Sequence, residues 1–212
     1  MEITWYGQNC FRLTERATLA VVTDPFDSST GMEPPKLKAD VVTISKVDDP
    51  RSRNVNAIVG AQRGDVRKIS GPGEYELGGV FITGVAMKPD KKTADGKTTV
   101  FAFNFDGLTV AHLGGLSFVP TQSQIDALET VNVLLVPVGG EGELSASQAS
   151  EIISMIEPSI VIPMGFGNKA TDALGKFLKE MGISSPKAQE SLKITKSQLP
   201  EDTQVTLLEI KS

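Results

Sequence analysis

Histidine and cysteine are almost missing from this sequence, which contains one of each, His112 and Cys10. A single cysteine excludes an internal disulfide and a cysteine-rich metal site. Because neutral imidazole is the commonest protein ligand for zinc, a single histidine also excludes a two-metal hydrolytic site built mainly from histidines. The composition therefore predicts a protein without such a zinc centre, and no other cofactor is indicated.

Long apolar runs are missing too, since no stretch approaches the roughly 20 residues that a membrane span needs. Glu2–Trp5 follows the first residue without the basic and apolar regions of a signal peptide. A net charge of −5 gives no reason to expect nucleic acid as a partner. Apolar residues make up 40% of the 212 residues and charged residues 22%, which is typical of a globular protein. We expect a soluble, cytoplasmic protein with neither a membrane nor a nucleic-acid partner.

The order of the apolar patterns predicts strands first and alternating helices and strands afterwards. Short strands are predicted at Glu2–Trp5, Phe11–Thr14 and residues 18–23, and further antiparallel strands up to the Asp106-Gly107 turn. Three helices are predicted in the second half, at residues 122–131, 145–156 and 171–181, and the last strand at 204–210. This order predicts an α/β fold of two packed sheets with helices outside, in one domain covering residues 1–212.

The stretch ADVVTISKVDDPRSR, residues 39–53, is the most informative part of the chain. Val41, Val42 and Ile44 indicate a buried strand, and the apolar run stops at Ser45. Five charged residues follow within eight positions: Lys46, Asp48, Asp49, Arg51 and Arg53. Because strands fix the position of the loops that follow them, a charged loop directly after a buried strand indicates a functional site.

Six segments, in order along the chain, resemble the metallo-β-lactamase superfamily. They are ITWYGQNCF from Ile3, Asp24-Pro25-Phe26, GPGEYELGG from Gly71, Ala111-His112-Leu113-Gly114-Gly115, LLVPVGG from Leu134 and Ile162-Pro163-Met164-Gly165-Phe166. The chain is most similar to the small zinc-dependent hydrolases of that superfamily, the branch that includes the ascorbate-phosphate lactonases. The resemblance implies a four-layer αββα sandwich.

The same resemblance shows that the expected metal ligands have been replaced. The family's histidine in the opening turn is Gln8, and its H-x-H-x-D-H ligands fall on Lys46, Asp48, Pro50 and Arg51. The aspartate after AHLG is Gly115, and the histidine after IPM is Gly165. His112 matches a family histidine that is not a ligand, so Asp48 alone retains a cation-binding side chain. The residues that shape the turns and strands are kept, which favours a protein that retained its fold and lost its metal chemistry.

We therefore interpret the chain as a metal-free pseudoenzyme that acts as a binding or structural subunit, with a partner that the sequence does not identify. The alternative is a hydrolase of this superfamily with altered chemistry. In that case Asp24, Asp48, Asp49 and Glu74 would form a carboxylate site for Mg²⁺ or Mn²⁺. A metal-independent pair of His112 with Ser45 or Ser117 is a further alternative.

The replaced positions also suggest two uses for the new cations. Lys46 and Arg51 stand where metal would lie in the resembling proteins, so the emptied cleft is predicted to bind either a small anion or a protein partner. The other interpretation is internal neutralisation. We expect Lys46 or Arg51 to bond Asp24, Asp48 or Glu74, and Asp49 is an additional candidate acceptor.

Overall fold

The computed structural model describes residues 1–16, 18–61, 64–89, 97–139, 142–166, 172–184 and 187–211. The first part of the chain contributes these strands: β1 (Glu2–Trp5), β2 (Phe11–Thr14), β3 (Val21–Thr23), β4 (Leu37–Ala39), β5 (Val41–Thr43), β6 (Ile58–Gly60) and β7 (Arg67–Ile69). The second part contributes β8 (Gly73–Leu77), β9 (Val80–Met87), β10 (Thr98–Phe105), β11 (Leu108–His112), α1 (Gln122–Asp126), β12 (Val133–Pro137), α2 (Ala146–Ile156), β13 (Ile160–Met164) and α3 (Asp172–Glu180). Four short strands follow: β14 (Ala188–Gln189), β15 (Leu192–Lys193), β16 (Gln204–Val205) and β17 (Leu207–Leu208).

Most of the strands form two mixed sheets, whose parallel parts position the loops of the site, and β4-β6 and β14-β17 form two-stranded sheets. One sheet has the order β15-β1-β2-β3-β5-β7, and the other has the order β16-β13-β12-β11-β10-β9-β8. β3, β5 and β7 run parallel to one another, as do β11, β12, β13 and β16. Since parallel strands end at the same edge of a sheet, the loops that follow β3 and β5 are neighbours, and so are those that follow β11, β12 and β13.

Alternating residues of the six-stranded sheet belong to two different cores. Val21 and Val41 pack in the large core between the two sheets. Their neighbours Val22 and Val42 face the other way and pack with Phe26, in a smaller core that the β4–β6 ribbon helps to cover. A strand that is buried on both faces carries a continuous apolar run, which explains the VV pairs at these two places in the sequence.

The helices agree with the predicted pattern, with one shorter than expected. α2 begins at Ser145, whose side chain and that of Gln148 form a capping box, and it ends at left-handed Glu157 before Pro158. α1 stops at Asp126 instead of residue 131, because Glu129 adopts a positive φ of 58° and turns the chain toward β12. α3 agrees with its prediction, although the predicted first residue, Thr171, lies outside the described residues.

Two predicted strands are interrupted for reasons of hydrogen bonding. The strand predicted at 18–23 is reduced to β3. The Ala20 N–H donates to the Asp40 carboxylate at 2.9 Å and is therefore not available for a hydrogen bond to a neighbouring strand. The strand predicted at 204–210 is divided, because β16 pairs with β13 whereas β17 pairs with β14. In the described part of the chain, no helix has the length and apolar character needed to cross a bilayer.

Candidate functional site

The charged loop after β5 is closed by its own hydrogen bonds. The Ser52 hydroxyl donates to the carbonyl oxygens of Lys46 and Asp49, and the Asp49 N–H donates to the Lys46 carbonyl at 3.3 Å. Pro50 accepts from the Asp27 N–H at 3.0 Å, which ties the loop to the segment that follows β3. The backbone of the loop is therefore fixed, and its side chains project from a defined turn.

Arg51 lies between two carboxylates that come from different parts of the fold. Its guanidinium donates to Asp49 in the same loop, with Nη2 to Oδ2 at 2.8 Å and Nε to Oδ1 at 3.1 Å. Its Nη1 donates to Oε1 of Glu143 at 3.1 Å, which joins the loop after β5 to the loop between β12 and α2. Burial opposes ionisation of Asp49, but the hydrogen bonds from Arg51 outweigh it and hold the pKa of Asp49 below its ordinary value.

Glu143 is the buried member of this network, with a side chain that is 1% exposed. Its Oε2 accepts from the Gly139 N–H at 2.5 Å. Burial raises the pKa of Glu143 to about 7, against the opposing effects of this hydrogen bond and of the Arg51 charge. The carboxyl group also fills the space in front of Gly165, where an added Cβ would lie 2.7 Å from the Glu143 Cδ.

Lys46 fills the corresponding space in front of Gly115. A Cβ added at Gly115 would lie 3.2 Å from the Lys46 Cδ and 3.4 Å from its Nζ. Burial lowers the pKa of Lys46, while the Asp49 carboxylate acts in the opposite direction. Side chains from elsewhere in the fold therefore occupy the space in front of Gly115 and Gly165, two positions at which the resemblance predicts a ligand.

Asp24 lies beneath the charged loop, fully buried, and has no cation within ion-pair distance among the described residues. Its carboxylate accepts from the Ser45 N–H at 2.7 Å and from the Ser45 hydroxyl at 2.5 Å. The Ser45 hydroxyl oxygen accepts in turn from the Gly115 N–H at 3.2 Å. Burial raises the pKa of Asp24 to about 7, even though both bonds from Ser45 favour the ionised form.

His112 is buried at the end of β11 and is a structural residue in this arrangement. Its Nε2 lies 2.8 Å from the Asn9 carbonyl oxygen, and its ring packs edge-on against Phe11. Burial lowers the pKa of His112 to about 4, so the ring is neutral at pH 7. Its Nδ1 has no hydrogen-bond partner among the described residues, and the hydroxyl of Ser45, its hypothetical partner in catalysis, is bonded to Asp24 instead.

The sequence prediction of how the cations are used was only partly right. The predicted acceptors Asp24, Asp48 and Glu74 make no ion pair with Lys46 or Arg51 in the described chain. Arg51 instead bonds Asp49, which was an additional candidate, and Glu143. Asp24 is buried beneath Ser45, and the other two side chains are exposed, Asp48 in the loop and Glu74 on edge strand β8. Among the described residues, Asp24, Asp48, Asp49 and Glu74 are not grouped as the carboxylate metal site considered above would require.

Glu143 is the member of the site that the sequence analysis missed. Its signal was its position a few residues beyond β12, since the loop after a parallel strand is a usual place for site residues. Of the remaining predicted positions, Gln8 approaches the site through its backbone. Its carbonyl accepts from the Gly165 N–H at 3.1 Å, while its amide donates to Met32 Sδ at 3.5 Å.

These residues do not fit the zinc centre that the resemblance implies. Gly115, Gly165 and Pro50 offer no donor atom, and Lys46 and Arg51 bring positive charge to the positions of two other ligands. Within the described residues, no group of three or more histidine, cysteine, aspartate or glutamate side chains is arranged to hold a metal ion. Two of the carboxylates of the site, Asp49 and Glu143, are already bonded to Arg51.

Comparisons with known proteins support the fold assignment. The profile of the beta-lactamase superfamily domain matches residues 2–165. A UPF0173 protein of Pyrococcus furiosus is 28% identical, with 85% of this chain and 90% of that protein covered. A UPF0173 metal-dependent hydrolase of Thermoplasma acidophilum is 23% identical, with 78% of this chain and 83% of that protein covered.

A crystal structure from Thermotoga maritima, described as a Zn-dependent hydrolase of the metallo-beta-lactamase superfamily, superimposes with a TM-score of 0.78 at 31% identity. The superposition covers 99% of each chain. The predicted α/β sandwich of this superfamily is therefore confirmed over nearly the full length of the sequence.

Proposed function

The chain belongs to the metallo-β-lactamase superfamily, and on that premise we propose that it is a metal-free, catalytically inactive member that works as a binding or structural protein. The single observation that carries the proposal is the Asp49–Arg51–Glu143 network. A guanidinium bonded to two carboxylates lies in the loop that would carry zinc ligands, and the Glu143 carboxyl group fills the space in front of Gly165.

The electrostatics of this arrangement argue against recruitment of a zinc ion. Zinc would have to displace Arg51 from Asp49 and Glu143, and this would leave a half-buried guanidinium without its partners. Lys46 adds a second positive charge beside the same loop. Hydrolysis in this superfamily's zinc enzymes depends on a metal-bound hydroxide, and none of the groups described here replaces that nucleophile.

The zinc content of the purified protein tests the proposal directly. We expect far less than one zinc per chain by elemental analysis after expression with added zinc, because the donor set is missing. A content of about one zinc per chain would contradict the proposal. The T. maritima protein described above, prepared in the same way, is the matched control.

A second test is activity toward lactone, phosphodiester and β-lactam substrates, for which we expect rates equal to those of buffer. The alternative function, a hydrolase with an altered site, is favoured by the names of the relatives, several of which are metal-dependent hydrolases. Turnover that is lost in Asp48→Asn or His112→Gln would establish that alternative. Cytoplasmic location and the single domain over residues 1–212 remain predictions.

A further inference from the structure

The ammonium group of Lys46 differs from its neighbour Arg51 in having no bonded counter-charge. Arg51 bonds two carboxylates, whereas the Nζ of Lys46 makes no hydrogen bond and no ion pair with any described residue. The side chain is nevertheless half-buried above Gly115, so the ammonium has lost part of its water without gaining a partner. The Asp49 and Glu143 carboxylates act on this ammonium only through space, so its N–H groups are open to donate hydrogen bonds to an anion supplied by the solution.

The space above this side chain can accept such an anion. Lys46 lines an open cleft of about 680 Å³, and Lys97, the residue before β10, lines it from the seven-stranded sheet. Arg51 is the third cation that lines the cleft. Two carboxylates, Asp48 and Asp49, line it as well. Among the residues that line the cleft, three cations therefore face two carboxylates.

We infer that the cleft between Lys46 and Lys97 binds a small oxyanion, a phosphate or carboxylate group, with Lys46 as its principal ligand. The inference deepens the proposed function and rests on it, because a metal centre would need the space that the Lys46 side chain occupies. The cleft is open, which leaves room for the remainder of a molecule that carries the anionic group. Free phosphate and a phosphate monoester share this chemistry and are separated by the experiment.

Calorimetric titration with inorganic phosphate at constant ionic strength tests the inference. We expect saturable binding with a Kd of about 1 mM or tighter, weakened about tenfold or more by Lys46→Met, which keeps the apolar stem and removes the charge. Lys97→Met should weaken binding by a smaller factor. Lys179→Met, at an exposed lysine on α3, is the matched control and should leave the Kd unchanged.

Equal Kd values for the parent and Lys46→Met, or no saturable binding by the parent, would overturn the inference. A second readout needs no variant. In protein with isotope-labelled lysine, phosphate should raise the pKa of the Lys46 amine in NMR titrations, and an unchanged value would also overturn it. Titration with a sugar phosphate distinguishes free phosphate from a phosphate monoester as the ligand. A lower Kd for the sugar phosphate would mean that the site binds a phosphate group carried by a larger molecule.

Zinc analysis of the same preparations separates this inference from the proposed function. Zinc-free protein that does not bind phosphate would refute the anion site alone, and the metal-free assignment would stand. Protein with stoichiometric zinc would refute the proposed function, whatever its phosphate affinity.

Discussion

Glu143 and Asp24 are two buried carboxyl groups of one site that the fold holds in different ways. Burial raises the pKa of each to about 7. Glu143 has a cation partner, Arg51, which is 92 positions away in the chain and belongs to the loop after β5. Asp24 has no cation within ion-pair distance in the described chain, and it is bonded only by the N–H and hydroxyl of Ser45.

The difference indicates which carboxyl group depends on the replaced metal positions. Asp24 and Ser45 follow β3 and β5, which are neighbouring parallel strands, so the sheet itself brings them together. Glu143 and Arg51 follow strands of different sheets, and their ion pair joins the loop after β5 to the loop after β12. We therefore expect the Glu143 region to respond strongly to changes at the replaced positions, and the Asp24 region to respond weakly.

The largest effect is expected from restoring a histidine at Gly165. Gly165 has a φ of 88°, and a Cβ there would lie 2.7 Å from the Glu143 Cδ, so Gly165→His should lower the free energy of unfolding by about 3 kcal/mol. Chemical denaturation measures this loss. Combination with Glu143→Ala should cost less than the sum of the two single changes, because the steric conflict is removed, and strict additivity would contradict the described packing.

Removal of Arg51 should have the next largest effect. Arg51→Ala leaves the Glu143 side chain, which is 1% exposed, without its cation, and the expected loss is on the order of 3 kcal/mol. Arg53→Ala is the matched control. Arg53 is 51% exposed and pairs with Asp27 at 3.4 Å, so its removal should cost less than about 1 kcal/mol. Equal losses in the two denaturation experiments would mean that the Arg51–Glu143 pair is no more buried than the Arg53–Asp27 pair.

A third prediction concerns pH and compares the two carboxyl groups directly. A pKa that rises to about 7 on folding means that the folded state binds the proton more tightly, so each group's contribution to stability falls as pH rises through 7. His112 acts in the opposite direction, because its pKa falls to about 4 and stability is lost as pH drops below its ordinary value of 6.5. The effect of each carboxyl group is therefore measured as the difference in the free energy of unfolding between its variant and the parent at each pH.

Asp24→Asn and Glu143→Gln should both become more stable relative to the parent as the pH increases from about 5 to 8. The difference for Glu143→Gln should also depend on salt, because the parent's charged partner Arg51 is partly exposed, whereas that for Asp24→Asn should not. Urea denaturation at several pH values and two ionic strengths measures both effects. A pH-independent difference for Asp24→Asn would show that this carboxyl group has an ordinary pKa in the folded protein.

Most of the fold could be predicted from local patterns, and the exceptions have identifiable causes. The Ser145 cap and Pro158 mark the ends of α2 in the sequence because capping and the missing proline N–H act within one turn. The early end of α1 could not be predicted, because it depends on a left-handed residue, Glu129, whose conformation is set by the turn toward β12. The division of β16 from β17 depended likewise on their different partner strands.

The features of the site also divide into those that the sequence could predict and those that depend on long-range contacts. The sequence by itself determined the family fold and the absence of donor atoms at Gly115, Gly165 and Pro50, because both follow from residue identity. It left Asp49 as one of several possible acceptors for Arg51, and the structure selected it. Only the tertiary structure placed Glu143 against Gly165 and Lys46 against Gly115, since both contacts join loops of different sheets. A side chain that fills a distant glycine's empty space leaves no local signal, because the space exists only once the sheets have packed.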